Sequence, residues 1–322
     1  MAFHIVAIPD GKAAAAPAAA PLATAYAMAI LGWLLSAGVY IAAKWVAPEM
    51  PPWALCFWRL GLACLILLPV VRHHYAAMLS LLRARGLELL AVGALGLTAC
   101  QGMLYTGLQY TDATTAGIIM ALCPMMTLVL AHFLLGEKMG LWQAAGAVIS
   151  LLGMVVIVAH GDLAALAGLK LNAGELWIAG GALCWGLYTV LLKRMKFDSE
   201  RLPLLVMLLG LGAVAALPFY FWELAHDERS ALDGNGLLAL AYVAAPGGAL
   251  MYYLYNRSVD TLGASRAGLM LYLQTAFVAL LAYLFLGEGL HAYDVTGAAI
   301  IVAGLVIAMT MKPKAAPGSA NR

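Results

Sequence analysis

Runs of about twenty apolar residues, the length a helix needs to cross the hydrocarbon core of a bilayer, follow one another along this chain with little between them. They fall near Leu22–Val46, Trp53–Val71, Glu88–Gln109, Ala113–Leu135 and Leu141–Ala159, then near Gly174–Leu192, Leu204–Phe221, Gly236–Tyr255, Gly263–Leu286 and Ala292–Met311. Backbone amides in lipid must be satisfied within their own segment, so helices are the expected form. Of the 322 residues, 64% are hydrophobic and 11% charged, with a mean hydropathy of +0.91. A soluble domain keeps roughly a quarter of its residues charged. The sequence therefore predicts an all-α membrane protein with ten transmembrane helices.

The Ala- and Pro-rich start, residues 1–21, carries an acid (Asp10) and no early cationic block, so it is expected to be a disordered tail rather than a signal peptide. Residues 312–322 read as a second polar tail. Cys56, Cys64, Cys100, Cys123 and Cys184 all fall inside apolar runs, which argues against a disulfide framework. With the N-terminus inside, the inner loops hold Lys12, Arg72, Arg83, Arg85, Lys138, Lys193, Arg194, Lys196, Arg201, Arg257, Lys312, Lys314 and Arg322. The outer loops hold little more than Lys44, Lys170 and Arg229. Positive loops stay cytoplasmic, so both termini are expected inside a plasma membrane of bacterial type. Basic residues spread over such loops give no nucleic-acid surface.

Two stretches, "FLLGEKMG" from Phe133 and "LFLGEGLH" from Leu284, repeat one pattern. A shift of 151 positions superimposes them without a gap. It places Ala113, Ala116 and Gly117 on Ala264, Ala267 and Gly268, and Leu135-Gly136-Glu137 on Leu286-Gly287-Glu288. Gly146, Ala147 and Gly153 fall on Gly297, Ala298 and Gly304. Several glycines and a glutamate in one register point to internal duplication. Residues 22–159 and 174–311 form the two halves, joined by an external linker at 160–173. Five runs per half is an odd number, so the second copy enters the membrane from the opposite side. The expected architecture is a 5+5 inverted-topology repeat, with a substrate site near midplane between the halves.

With these features the chain resembles the drug/metabolite transporter superfamily, specifically its EamA-type exporters, over roughly Ala23 to Met311. The "WGLYTVLLK" segment from Trp185 and the pair Pro52 and Arg59 add to the likeness. In the first run the family's Trp position falls on Ser36, with Trp33 one turn earlier. The resemblance implies a transporter of small metabolites, with aromatic amino-acid exporters as the nearest expectation.

Polar residues within the runs nominate the site. Trp33, Ser36, Tyr40 and Lys44 form one stripe at helical spacing. Gln101 with Tyr105, Trp185 with Tyr188, Tyr252 with Asn256, and Tyr272 with Thr275 each share a helix face. Unpaired polar tips at such depth are costly. A cavity lining accounts for so many aromatics with a polar end, whereas helix–helix hydrogen bonds would account for the polar ends alone. The expected substrate-binding residues are Ser36, Tyr40, Gln101, Tyr105, Trp185, Tyr188, Tyr252, Tyr272 and Thr275. Pro124 and Pro246-Gly247-Gly248 interrupt the backbone at similar depth. Arg59 reads either as an anion ligand or as a cation snorkelling to the outer surface. Glu137 and Glu288 read as helix boundaries, the glycine ending one helix and the glutamate opening the next.

No H-E-x-x-H, G-x-S-x-G triad, P-loop or CxxC pair occurs, and no Asp or Glu sits in the middle of a run. An enzyme, a bound cofactor or metal, and direct ATP drive are not expected. The reading is an alternating-access exporter of amino acids or similar zwitterions, working in lipid as a monomer or homodimer on a small-molecule substrate. The rivals are a transporter of drugs or nucleotide-linked sugars and a non-transporting membrane scaffold.

Overall fold

Helix ends in this protein are written by a few residues. Pro51 is extended (φ −61°, ψ 141°) because Pro52 follows it, and Pro52, which has no N–H to satisfy, opens a helix. Asn172 caps another by accepting the Gly174 N–H at 2.8 Å. Gly136 and Gly287, at equivalent places in the two repeats, take φ +67° and +68°. This left-handed conformation stops a helix at little cost only for glycine.

The computed structural model describes residues 22–136, 140–158, 172–197, 199–226, 234–262 and 271–310. Both terminal tails, Glu137 and nearly all of the 160–173 linker lie outside the described residues. The first half holds α1 (Leu22–Val46), α2 (Pro52–Leu67), α3 (Tyr75–Gly93), α4 (Cys100–Leu108), α5 (Ala113–Met120), α6 (Cys123–Leu135) and α7 (Leu141–Val158). The second holds α8 (Ala173–Met195), α9 (Arg201–His226), α10 (Gly234–Ala244), α11 (Met251–Leu262), α12 (Leu271–Leu286) and α13 (Ala292–Thr310). Among the described residues, six helical stretches are long and apolar enough to cross a membrane. One of them, Pro52–Leu108, runs for 57 residues, well over twice the roughly 20 residues of one crossing. It turns back on itself, since the Trp53 ring lies over Gly102. Non-helical dihedrals at Val71 and Arg85 mark where it bends. Helix continues through 75–87, where the sequence reading placed an inner loop; Ala, Met, Leu and Arg favour helix there, although the segment is too charged to read as a span.

Large side chains such as Phe133, Leu141, Trp222, Leu238 and Phe285 point outward and are exposed. On a soluble protein this would be an unsheltered apolar surface; against acyl chains it is the stable arrangement. The protein is an all-α, multi-pass membrane protein.

The duplication is visible in the backbone. Residues Ala94–Ala99, between α3 and α4, and Ala245–Leu250, between α10 and α11, both widen into a π-helical turn, and the same shift of 151 relates them. The equivalent helices α7 and α13 also meet. A Cβ on Gly304 would lie 2.5 Å from the Gly146 carbonyl oxygen, and one on Gly297 would lie 2.8 Å from that of Gly153. Each glycine thus faces the repeat mate of the other glycine on its own helix, the pattern a two-fold axis imposes. Numbering rises along one helix as it falls along the other, so the two equivalent helices are antiparallel. Small residues allow this close backbone approach in lipid, and Ser150 Oγ adds a bond to the Ile301 carbonyl at 3.2 Å.

Candidate functional site

Arg59 lies about two turns into α2 and is only 3% exposed. It does not snorkel outward. Its Nε and Nη2 point instead to the carbonyls of Val243 and Gly247, each at 3.4 Å, longer than the usual ~2.7–3.2 Å. Its Cζ stands 5.9 Å from the Tyr252 ring centroid. Nη1 has no hydrogen-bond partner among the described residues. Nor has Tyr105 Oη, which is near the guanidinium but outside hydrogen-bonding geometry.

The guanidinium borders a cavity of about 400 Å³ between the two halves. From α1 come Trp33, Ser36 and Tyr40; from α8, Trp185 and Tyr188, whose rings tilt against each other at 5.3 Å. Gln101 of α4 and Tyr252 of α11 enter from opposite repeats, each just after a π-turn. Such turns displace a helix face and recur at functional sites. Cys123 sits where Pro124 breaks the helix after Ala121–Leu122, and its repeat mate Gln274 lines the same space. Gln101 with Tyr252, and Cys123 with Gln274, are therefore two wall pairs related by the 151-residue shift. Gln274 Nε2 donates to Ser36 Oγ at 3.1 Å, tying α12 to α1 across the wall.

One end of this space is sealed, the end at which α1 finishes. Lys44 Nζ donates to the carbonyls of Leu108 (3.0 Å) and Thr111 (2.8 Å). Glu223 of α9 accepts the Trp53 and Ala54 N–H groups at 3.1 and 2.8 Å, and so caps α2. Glu288 does the same for α5 through Ala113 and Thr114. A carboxylate at a helix N-terminus meets free N–H groups and the positive end of the dipole. Toward the other end the lining reaches Leu192, Asn256 and Arg201, whose side chain is 55% exposed. The cavity therefore opens at the end where α1 begins.

Residues 23–159 match the EamA-like transporter family, and residues 172–310 match it again. The chain belongs to that family. This EamA protein is 25% identical over 280 residues to the uncharacterized transporter YyaM of Bacillus subtilis, covering 87% of this chain and 92% of the other. It is 27% identical over 261 residues to the uncharacterized inner membrane transporter YicL of Salmonella typhimurium (77% and 82% covered). It is 25% identical over 226 residues to a probable terminal-alkyne amino-acid exporter of Streptantibioticus cattleyicolor (70% and 74% covered). A solved crystal structure shares the fold with a TM-score of 0.61 at 20% identity, over 89% of this chain and 97% of that one. The EamA protein is thus a membrane transporter, and no catalytic activity is indicated for it.

Of the residues nominated from sequence, Ser36, Tyr40, Gln101, Trp185, Tyr188 and Tyr252 line the one cavity. Tyr105 stands behind the wall, beside Arg59. Thr275 turns away, its hydroxyl donating to the Gly117 carbonyl at 3.3 Å, so it serves a helix–helix contact. The Tyr272 side chain lies outside the described residues. Sequence reasoning left Gln274, Cys123 and Arg201 out of the site and kept Arg59 open between an anion ligand and an outward-snorkelling cation. The repeat shift carried a signal for one of them, since it maps Cys123 at the Pro124 break onto Gln274. Glu288 also differs from its expected role, for its carboxylate caps a helix in the other repeat rather than the helix that follows it.

Proposed function

We propose that this EamA transporter is an alternating-access exporter of amino acids or similar small zwitterions, with ten spans in a 5+5 inverted repeat and both termini cytoplasmic in a bacterial-type plasma membrane. The observation that carries this reading is the cavity of about 400 Å³ walled by repeat-equivalent pairs and sealed at one end only. Its size falls within the range of small-molecule sites, roughly 300–1,000 Å³. Antiparallel packing of the equivalent helices α7 and α13 supports the inversion, since two inverted halves provide two similar states that open to opposite sides. Lys and Arg cluster at the open end of the cavity, which favours a cytoplasmic opening. An amino-acid substrate is in keeping with the relative described as a probable terminal-alkyne amino-acid exporter. A nucleotide-linked sugar fits less well, because its pyrophosphate would meet one buried cation, Arg59, with Arg201 exposed at the mouth.

Counterflow into proteoliposomes holding the purified protein tests the reading against the twenty amino acids, a nucleotide-linked sugar and a cationic drug. Accelerated exchange of one or more amino acids is expected. Exchange confined to the sugar or the drug, or exchange of nothing, overturns it.

A further inference from the structure

Within that functional reading, we propose that Arg59 binds the substrate's carboxylate and that no residue of the cavity reads an ammonium group. The transporter would then select small monocarboxylates with an apolar or aromatic body, whether or not they carry an α-amino group.

Arg59 is charged at any physiological pH, and it is buried. A buried cation normally has an ionic partner or complete hydrogen bonding, because removing it from water is expensive. Here neither condition is met. Among the described residues no carboxylate pairs with it and Nη1 has no partner, and its two carbonyl contacts are long although the side chain borders open space. A planar carboxylate presented to Nη1 would supply the missing acceptor and the missing charge in one contact, the recognition for which a guanidinium fork is best suited. The Tyr105 hydroxyl, behind the wall beside Arg59, likewise has no hydrogen-bond partner among the described residues, so the guanidinium gains no neutral acceptor there.

An ammonium group would need a carboxylate or converging acceptors. Among the described residues that line the cavity there is no Asp or Glu, whichever helix is considered. The acids at the sealed end, Glu223 and Glu288, are engaged by backbone N–H groups. The second charge on the wall is another cation, Arg201. The rest of the wall joins Trp185, Tyr188, Tyr252 and leucines of α9, which suit an apolar body, to the neutral polar side chains of Ser36, Gln101, Asn256 and Gln274, none of which carries a charge to balance an ammonium. Charge alone makes the space favourable to anions and unfavourable to amines.

Three ligands that share one ring and one chain length test this on the wild-type protein: L-phenylalanine, 3-phenylpropanoate and phenethylamine. Binding is read by thermal shift and titration calorimetry in detergent, and transport by counterflow in proteoliposomes. The two acids should bind with affinities within about tenfold of each other, and the amine at least ~10-fold more weakly than either, a gap of about 1.4 kcal/mol. Arg59→Gln should lose most of the affinity for both acids, and Arg59→Lys should recover part of it. Phenethylamine binding as tightly as phenylalanine overturns the proposal. So does failure of either acid to bind, or unchanged acid affinity in a folded Arg59→Gln protein. The ligand series uses no variant, so it decides even where Arg59→Gln does not fold. Acids that bind without being exchanged would leave this inference standing and sink the transport reading; amino-acid exchange with no preference for acids over the amine would do the opposite.

Discussion

The carboxylate of Glu288 caps a helix that begins 175 residues before it, accepting the Thr114 N–H and the Thr114 hydroxyl at 3.1 Å each. The Ala113 N–H adds a third bond at 3.0 Å. This contact joins the end of a helix in the second repeat to the start of one in the first, at the sealed end of the cavity. Glu288→Gln keeps an acceptor oxygen but removes the charge that the helix dipole favours, and should lower stability by about 1 kcal/mol. Substrate affinity should change little, because Glu288 does not line the cavity. Melting of the purified variant and its counterflow affinity check the two halves of the prediction. Normal melting together with loss of all pH dependence of transport would reveal a proton site instead.

Trp185 lies half-buried on the cavity wall against Tyr188. Trp185→Ala should weaken substrate affinity by ~1–3 kcal/mol, the scale of burying a large apolar side chain. It should cost less stability than the ~3–5 kcal/mol typical of emptying a packed core of such a residue, because one face of the ring already meets open space. Affinity and melting temperature measured on one preparation separate a wall residue from a core residue. A variant that folds poorly yet binds normally would assign Trp185 to the core.

Helix positions were legible in the sequence because lipid imposes a length and a polarity on every crossing. Leu22–Val46 and Ala113–Leu135 could be bounded from hydropathy alone, and both are helical over those ranges, the second with a turn at Ala121–Leu122. The duplication was legible because Gly136 and Gly287 are required by the backbone and so kept their register. Which face of a helix looks inward was harder to read. Thr275 and Gln274 are adjacent in sequence, yet one bonds a neighbouring helix and the other lines the cavity. Arg59 could snorkel outward or turn inward, and the choice rests on carbonyls 184 and 188 residues away, at Val243 and Gly247. The Glu288 cap was illegible for the same reason, since local pattern carries no record of a partner so far along the chain.

Gly304 should not tolerate even one added carbon. Its Cβ would lie 2.5 Å from the Gly146 carbonyl oxygen and 2.6 Å from Ser150 Oγ, and the first of these is backbone that cannot rotate away. Gly304→Ala should therefore push α7 and α13 apart and cost ~1–3 kcal/mol, the usual range for overpacking. Gly289→Ala is the control, since a Cβ there meets nothing within 4 Å. Thermal melting of both variants decides, and equal melting would mean that the close crossing of α7 and α13 contributes little to stability.

The sealed end of the cavity should face outward. Lys44 is the basic residue bonded at that end, whereas Arg72, Arg83, Arg85, Lys193, Arg194 and Arg201 gather at the other, and positive loops are retained in the cytoplasm. A cysteine replacing Asn235, an exposed residue that donates to Glu49 Oε1 at the sealed end, should react with a membrane-impermeant maleimide added to whole cells. A cysteine replacing Arg83 should react only after permeabilisation, and tags on both termini should report the cytoplasm. With that orientation the described state opens inward, as an exporter must to load its cargo, and Arg59 lies near the outer limit of the path. Reversal of the two labelling patterns would make the same open cavity the outward-facing release state of the cycle and would overturn the inward-open assignment.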